Sequence, residues 1–343
     1  MIESLTMNVL YQSDKNTQYY MGVSIYSLLL NNKSDYRITV YIIDNGLDVT
    51  FINELYCLIK GFNAEIRLLD GRVLKEYLEK NKFPDYLGTR KNKKSYYKLF
   101  WDIVITDKLS RLIYIDCDTV VQREITNLVN INMRGNVLGM VCDALITDEA
   151  ELIGIKQNDY YYNSGMILFD ADKWISDKCS SRVMEHAKKN NSYGTVDQDL
   201  INIEFCNQIT KLPICYNVQS IHMITDSVTY CREFKRKNYY NICEINQGIK
   251  EACIIHFLKF IGKNPWDKGS KHPCRKIFFE YLQNTPWKEL AERKVQTNIV
   301  YLIEEILFLI LPNRFFVKVF HFAHSKMIAK SNKGVLDKVR KYE

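Results

Sequence analysis

Short apolar, β-branched segments alternate with longer amphipathic segments through most of the chain, and this alternation limits the fold more than any other feature. Two parallel strands need a crossover connection between them, which is usually a helix. The pattern therefore predicts an α/β fold with a mostly parallel, doubly wound sheet that carries helices on both faces. The predicted strands are 8–11, 38–43, 64–69, 111–115, 137–141, 166–169 and 252–257, and the first predicted helices are 19–30 and 49–59.

Polar side chains follow several of these predicted strands. Asp14 lies just beyond the first strand, Asp116 and Asp118 follow the fourth, and Asp143 and His256 lie at the ends of later strands. Ligands of a doubly wound sheet bind outside the carboxyl ends of its strands. We therefore expect these side chains to share one edge of the sheet and to form the functional site.

The segment Asp116-Cys117-Asp118 brings two carboxylates together directly after an apolar strand. Carboxylates at this spacing can reach one hard cation through a turn, and oxygen ligands suit Mn²⁺ or Mg²⁺ bound to a diphosphate. The same spacing recurs at 170–172, where we expect a turn and a helix cap, and at 197–199, where we expect a helix N-terminus that can aim side chains into a site.

His256 ends an apolar strand, and a lone histidine in that position is typical of a protein core. Gly262 and Lys263 follow it closely. A neutral imidazole can complete a Mn²⁺ shell, while a glycine turn and a lysine can hold phosphate oxygens. The three residues together favour a metal and diphosphate site with Asp116, Asp118 and His256 as metal ligands.

Five segments in one order resemble glycosyltransferase family 8, the retaining group that includes glycogenins and bacterial lipopolysaccharide galactosyl- and glucosyltransferases. The resemblance covers roughly residues 7 to 270 and implies a Rossmann-like fold of GT-A type. It also implies Mn²⁺-dependent transfer of glucose or galactose from UDP-glucose or UDP-galactose, with retention of configuration. The segments are Tyr11 to Asn16, Leu112 to Asp118, Tyr162 to Gly165, Asp197 to Asp199 and His256 to Trp266.

The resemblance also implies roles for individual residues. The uridine would be held near the end of the first strand, the metal by the two aspartates and the histidine, the sugar by the polar residues of later strands, and the departing diphosphate by Gly262 and Lys263. Gln198 and Asp199 are the implied catalytic residues. The implied donor-binding residues are Gln12, Asp14, Asn16, Lys98, Asp116, Cys117, Asp118, Asp143, Asn163, Ser164, Asp197, Gln198, Gly262 and Lys263.

Two positions depart from the family pattern. Lys98 stands where the family usually has an arginine, and a lysine cannot offer a bidentate fork to its partner. Lys263 precedes Asn264, whereas the family has the lysine directly before proline and tryptophan, so Lys259 is a rival phosphate ligand.

The mechanism of retention has two alternatives. Either a residue of the 197–199 segment acts as a transient nucleophile, or the acceptor attacks the same face of the sugar as the leaving group departs. An amide oxygen such as that of Gln198 is a poor nucleophile, which favours internal return. Polar or anionic groups of this segment would stabilise the positive charge that develops at the anomeric carbon.

The last part of the chain has a different character, so we predict a catalytic domain over 1–285 and a helical, basic and aromatic segment over 286–343. The chain carries a net charge of +7, and residues 312–343 hold eight lysines and arginines against two acids. This segment is either a helical hairpin packed on the core or an interfacial element whose Phe315, Phe316 and Phe320 enter an anionic membrane. In the second case, 299–343 provides the peripheral membrane contact.

Charge and cysteine content indicate where such a protein works. The body outside the basic tail is nearly neutral, which argues against a basic nucleic-acid-binding surface there. The ten cysteines form no CxxC pair, and we find neither a signal peptide nor an apolar stretch long enough to span a membrane. We expect free thiols and a cytoplasmic protein, with the inner face of the cytoplasmic membrane as its peripheral site.

The sequence thus predicts a hexosyltransferase that adds glucose or galactose to a saccharide or lipid-linked acceptor in bacterial surface polysaccharide or lipopolysaccharide synthesis. A nucleotidyltransferase usually has a glycine-rich loop after its first strand, and Gln12 to Asn16 contains no glycine. The remaining alternative is a catalytically weak or inactive UDP-sugar-binding protein of the same fold. The metal ligands Asp116, Asp118 and His256 argue against it.

Overall fold

The computed structural model describes residues 6–32, 36–84, 93–146, 151, 154–155, 160–189, 194–234, 238–296 and 298–339. Two sheets and their helices form a large hydrophobic core in this part of the chain, and Ile146, Ile155 and Tyr161 form a second, small cluster. The strands are β1 (Thr6–Ser13), β2 (Arg37–Asp44), β3 (Ala64–Asp70), β4 (Arg111–Ile115), β5 (Thr119–Val121), β6 (Leu138–Cys142), β7 (Tyr162–Asp170), β8 (Ile209–Lys211), β9 (Val218–Gln219) and β10 (Ile254–His256).

Helices surround these strands, and the predicted α/β architecture is confirmed. Lys93–Ile103 forms two 3₁₀ helical segments joined by a kink at Phe100. Short 3₁₀ helices also occupy Thr126–Asn130, Ile214–Asn217 and Ser220–Met223. The α-helices are α1 (Gln18–Asn31), α2 (Val49–Ile59), α3 (Gly71–Lys80), α4 (Ala171–Ser176), α5 (Cys179–Lys189), α6 (Val196–Glu204), α7 (Ser227–Phe234), α8 (Ile242–Lys250), α9 (Arg275–Leu282), α10 (Ile299–Ile310) and α11 (Asn313–Val339).

The central sheet has seven strands in the order β3-β2-β1-β4-β7-β6-β8. The pairs from β3 to β4 and the pair β6–β8 are parallel, because the intervening helices return the chain to the same end of the sheet. Strands such as β1, β2 and β4 are almost wholly buried, as expected where helices cover both faces.

Strand β7 runs antiparallel to both β4 and β6. Its first residues, including Asn163 and Ser164, therefore lie at the edge where β1, β4 and β6 end. The small sheet β5-β10-β9 adds His256 to this region, since His256 at the end of β10 is paired with Thr119 of β5. The predicted gathering of polar residues at one edge is confirmed.

The other two D-x-D segments take the local structures expected of them. Asp170 caps α4 by accepting a hydrogen bond from the backbone N of Lys173 at 3.1 Å, and it also pairs with Arg111 at 2.8 Å. Asp197 and Asp199 lie in the first turn of α6. The spacing alone therefore does not distinguish a metal site from a helix start.

The C-terminal helices α10 and α11 form a hairpin that packs on the core. Phe316 and Phe320 are buried, at 1% and 8% exposure, whereas Phe315 is 48% exposed. Of the two alternatives for this segment, the hairpin packed on the core fits the structure, and entry into a membrane does not fit Phe316 and Phe320. These two residues lie one turn apart on the inner face of α11 and contact Phe260 of the core. No described helix has the length and apolar character needed to cross a bilayer.

Candidate functional site

Asp116, Asp118 and His256 form a cluster of metal-ligand atoms at the end of β4. One ligand atom from each residue lies within 4.8 Å of the others. The His256 Nε2 is 3.3 Å from Asp118 Oδ1 and 3.9 Å from Asp116 Oδ2. Burial raises the pKa of Asp116 against the opposing effect of Lys98, and Asp118 raises it further. Two carboxylates and an imidazole in this arrangement fit a divalent cation such as Mn²⁺ or Mg²⁺.

The imidazole of His256 is oriented by Asn217, a residue that the sequence did not single out. The His256 Nδ1 lies 3.2 Å from Asn217 Oδ1, and Asn217 Nδ2 donates to Asn163 Oδ1 at 2.9 Å. Since the amide oxygen only accepts, Nδ1 donates to it and Nε2 faces the carboxylates. Burial disfavours a charged imidazole, but Asp118 and Asp116 outweigh it and hold the pKa of His256 above its usual value.

Gly165 leaves the space in which this imidazole lies. A Cβ added at Gly165 would be 2.1 Å from His256 Cε1, which no side chain could tolerate. The backbone O of Gly165 also accepts a hydrogen bond of 2.8 Å from the N of Asp116. The glycine of the segment Tyr162 to Gly165 is therefore required by the close approach of two metal-ligand candidates.

Lys98 lies buried between two carboxylates. Its Nζ is 2.9 Å from Asp197 Oδ2 and 3.8 Å from Asp116 Oδ1, and it donates to the backbone O of Ser164 at 3.1 Å. Burial alone would lower the pKa of Lys98, but Asp116 and Asp197 outweigh burial and hold it above its usual value. The amine therefore stays charged and links the metal cluster to α6.

Asp143, Asn163, Ser164 and Gln198 form one hydrogen-bonded network beside this lysine. Asp143 Oδ2 accepts from Asn163 Nδ2 at 3.0 Å and from Gln198 Nε2 at 3.1 Å. Gln198 Oε1 accepts from the backbone N of Ser164 at 3.0 Å, and Ser164 Oγ donates to Asp197 Oδ2 at 3.0 Å. The structure brings these predicted sugar-pocket residues together, and their mutual bonds hold each amide in one orientation.

Asp199 is placed differently from Gln198. Its Oδ2 accepts from the backbone N of Thr195 at 2.8 Å, and its Oδ1 accepts from the hydroxyls of Thr195 and Tyr161. Burial raises the pKa of Asp199, although these hydrogen bonds oppose the rise. The carboxylate thus stabilises the start of α6, a role that the sequence pattern at 197–199 also predicted.

The end of β1 offers polar atoms next to the metal cluster. Cys117 Sγ donates to the backbone O of Gln12 at 3.0 Å, which joins β1 to the Asp116–Asp118 turn. The Gln12 Nε2 donates to the backbone O of Lys94 at 3.2 Å, while its Oε1 is buried without a hydrogen-bond partner among the described residues. Asp14 Oδ1 accepts from the N of Asn16 at 2.9 Å. A buried acceptor with no partner fits a ligand that donates a hydrogen bond there.

Gly262 and Lys263 lie in a turn that contacts the C-terminal hairpin. Lys263 Nζ donates to the backbone O of Gly269 at 3.3 Å and is 3.6 Å from Glu305 Oε2 of α10. Gly262 has a φ of +71°, a conformation that glycine adopts readily. The rival ligand Lys259 is exposed. The acidic partner of Lys263 comes from the last part of the chain, where no sequence motif indicated it.

The chain is similar to known proteins over most of its length. The sequence model of Glycosyl transferase family 8 matches residues 8–269. General stress protein A of Bacillus subtilis is 25% identical, and the alignment spans 83% of this chain and 96% of that protein. Lipopolysaccharide 1,2-glucosyltransferase of Escherichia coli K12 is 26% identical, and the alignment spans 86% of this chain and 83% of that protein. The crystal structure of galactosyltransferase LgtC with donor and acceptor sugar analogs has a similar fold, with a TM-score of 0.67 at 19% identity and coverages of 82% and 96%.

Proposed function

The chain belongs to glycosyltransferase family 8, and on that premise we propose that it is a Mn²⁺-dependent, retaining hexosyltransferase. It is a glycosyltransferase with a GT-A type fold. The proposed donor is UDP-glucose or UDP-galactose, and the proposed acceptor is a saccharide or lipid-linked glycan of bacterial surface polysaccharide or lipopolysaccharide synthesis. Relatives named as lipopolysaccharide glucosyl- and galactosyltransferases support this substrate class.

The cluster of Asp116, Asp118 and His256 is the observation that carries the proposal. Its ligand atoms lie within 4.8 Å of one another at the edge of the sheet where nucleotide ligands bind. A bound Mn²⁺ or Mg²⁺ would supply positive charge to the diphosphate as the sugar–phosphate bond breaks. Asn217 would keep the Nε2 of His256 directed at that ion.

The residues around the cluster would bind and orient the donor. We assign the uridine to Gln12, Asp14 and Asn16, since Gln12 Oε1 is a buried acceptor that lacks a protein partner among the described residues. Cys117 would keep that strand end next to the metal turn. The sugar is assigned to the network of Asp143, Asn163, Ser164, Asp197 and Gln198, with Lys98 between it and the metal.

Internal return is the mechanism we propose for retention. The amide of Gln198 is held by Ser164 and Asp143, and an amide oxygen is a poor nucleophile. The oxygens of Asp199 accept hydrogen bonds from Thr195 and Tyr161, which makes its carboxylate a poor nucleophile as well. The acceptor hydroxyl would attack the face that the diphosphate leaves, and the departing diphosphate would take its proton. The polar groups of α6 would stabilise the positive charge that develops at the anomeric carbon.

Release of UDP from purified protein tests this function. We expect metal-dependent hydrolysis of UDP-glucose or of UDP-galactose with Mn²⁺, and no release once a chelator removes the metal. The preferred donor would identify the sugar. Absence of release from both donors, together with absence of Mn²⁺-dependent UDP binding, would contradict the proposal. Mn²⁺-dependent UDP binding without release, even with lipid-linked saccharides added, would favour an inactive UDP-sugar-binding protein instead.

We also propose that the hairpin contacts an anionic lipid surface at the inner face of the cytoplasmic membrane. Large apolar side chains are exposed on it, and they form what we call the apolar patch. Exposed basic residues of α11, among them Arg314, Lys318 and Lys326, would meet anionic headgroups. The most exposed members of the apolar patch on each helix include Ile299 (71% exposed), Leu309 (64%), Ile310 (68%) and Phe322 (63%), and the others are Val300, Leu302, Ile303, Ile306, Phe315, Val319 and Met327.

Polar substitutions in the apolar patch are expected to weaken lipid binding. Burying one such side chain contributes about 1.5–3 kcal/mol, so Leu309→Ser with Phe322→Ser should lower partitioning onto anionic vesicles by more than about 10-fold. Cosedimentation with vesicles measures this, and vesicles of neutral lipid should bind less in every case. Val228→Ser removes an apolar side chain of similar exposure (55%) from α7 and should have no effect. Unchanged binding of the double variant would refute the membrane contact.

A further inference from the structure

The four residues Phe260 to Lys263 form a tight turn in an unusual conformation. Phe260 and Lys263 exchange two backbone hydrogen bonds, of 2.9 and 3.1 Å. The two central residues, Ile261 and Gly262, both have positive φ, at +49° and +71°. This is the pattern of a type I′ turn, which favours Asn, Asp or Gly at both central positions. A β-branched isoleucine is strained there, so the surrounding structure must hold the turn in place.

Aromatic rings of the C-terminal hairpin enclose the first residue of the turn. The ring of Phe260, which is 2% exposed, lies 5.1 Å from that of Phe308 in α10. It also lies 5.9 Å from Phe316 and 6.1 Å from Phe320 in α11. Phe260 is therefore anchored between the two helices, and the backbone of the turn cannot shift without opening this packing.

Two further residues of α10 contact the other end of the turn. The ring of Tyr301 covers Gly262 so closely that an added Cβ would be 2.5 Å from Tyr301 Cδ2. The Glu305 carboxylate is 3.6 Å from Lys263 Nζ, and both side chains are mostly buried, at 21% and 14% exposure. Tyr301, Glu305 and Phe308 are spaced four and three residues apart, so they lie on one face of the helix.

We propose that Tyr301 and Glu305 are positioning residues of the donor site, which fix the Phe260–Lys263 turn so that Lys263 is pre-oriented for the diphosphate. The inference rests on the proposed function, because the diphosphate role of Lys263 is the one that the family resemblance implies for a UDP-sugar transferase. The chain enters the turn directly from the metal-ligand candidate His256, whose backbone O accepts from the N of Leu258 at 3.0 Å. A fixed turn would therefore keep the lysine in register with the metal cluster, and the last helices of the chain would complete the site.

Binding of UDP and of uridine to the full-length protein, with excess Mn²⁺, separates positioning from folding. Tyr301→Ala and Glu305→Ala should each weaken UDP binding about 10-fold, the lower end of the range for residues that orient ligands indirectly. Uridine lacks the diphosphate, so its affinity should not change and would show that the variants are folded. Tyr301→Phe keeps the ring and should retain wild-type affinity. Val300→Ala, on the exposed side of α10, is the matched control.

A double-mutant cycle tests whether Glu305 acts through Lys263. Lys263→Ala should weaken UDP binding, and adding Glu305→Ala to that variant should cause no further loss. Equal UDP affinities of wild type, Tyr301→Ala and Glu305→Ala would overturn the inference, as would fully additive losses in the cycle. A wild-type protein that fails to bind UDP would instead contradict the proposed function, so the two failures are distinguishable.

Discussion

Replacement of Asp118 by alanine is expected to abolish metal-dependent UDP release, with a fall in kcat/KM of more than about 100-fold. Mutation of residues that only orient metal ligands already lowers metal affinity or activity by about 10–100-fold, and the loss of a direct ligand should lower them further. Asp118 Oδ1 is 3.3 Å from His256 Nε2. Without Asp118, only Asp116 and His256 of the cluster remain to bind the cation, and two protein ligands are too few for a hard cation. Steady-state UDP release and Mn²⁺ titration of the variant measure both effects.

The chain contains its own control for this substitution. Asp172 belongs to a segment with the same D-x-D spacing, but it is exposed and lies in the first turn of α4. Asp172→Ala should therefore leave UDP release and Mn²⁺ affinity unchanged. Full activity of Asp118→Ala, or an equal loss in both variants, would show that the cluster at the end of β4 does not bind the metal.

Replacement of Lys98 by methionine is expected to destabilise the fold by about 3–5 kcal/mol, as is usual when one partner of a buried ion pair is lost. The Lys98 and Asp197 side chains are 4% and 9% exposed and their charged atoms are 2.9 Å apart. Without the amine, the carboxylate of Asp197 would stay buried with only the Ser164 hydroxyl described nearby, and Asp116 would lose its nearest cation. Urea unfolding followed by fluorescence gives the free energy of unfolding.

Lys173→Met is the matched control for this prediction. Lys173 also forms a 2.9 Å ion pair, with Asp177, but both side chains are about one-third exposed. A surface pair of this kind contributes about 0–1 kcal/mol, so the control should unfold almost as the wild type does. Comparable stabilities of the two variants would mean that the charge of Lys98 is not required to neutralise the buried carboxylates.

Strands and motifs were the predictable part of the fold. The predicted segments 49–59 and 111–115 coincide with α2 and β4, and β1, β2 and β3 are one to four residues longer than predicted. Strand β7 is five residues longer than predicted, β6 is shifted by one residue, and β10 is three residues shorter. The short strands β5, β8 and β9 were not predicted, because two or three residues carry no periodicity. The division of the chain at residue 285 stays a prediction.

The partners of the motif residues were not predictable. Asn217 lies in a 3₁₀ helix with no motif around it, yet it orients His256. Glu305 lies 42 positions beyond Lys263 in an apolar helix and pairs with it. Phe316 and Phe320 have the same helical spacing whether a membrane or the core covers them, so their burial could not be read from the pattern.

The sequence by itself determined the fold class, the family, and the edge of the sheet at which the polar motif residues gather. Periodicity, strand ends and motifs are local properties, so they can be identified without knowledge of long-range contacts. Only the tertiary structure decided which charges neutralise each other and what the C-terminal helices touch. Lys98 forms an ion pair with Asp197, and Glu305 forms one with Lys263, because packing brings together segments that are distant in the chain. Energies of buried charges depend on such neighbours and on burial, neither of which is encoded in spacing.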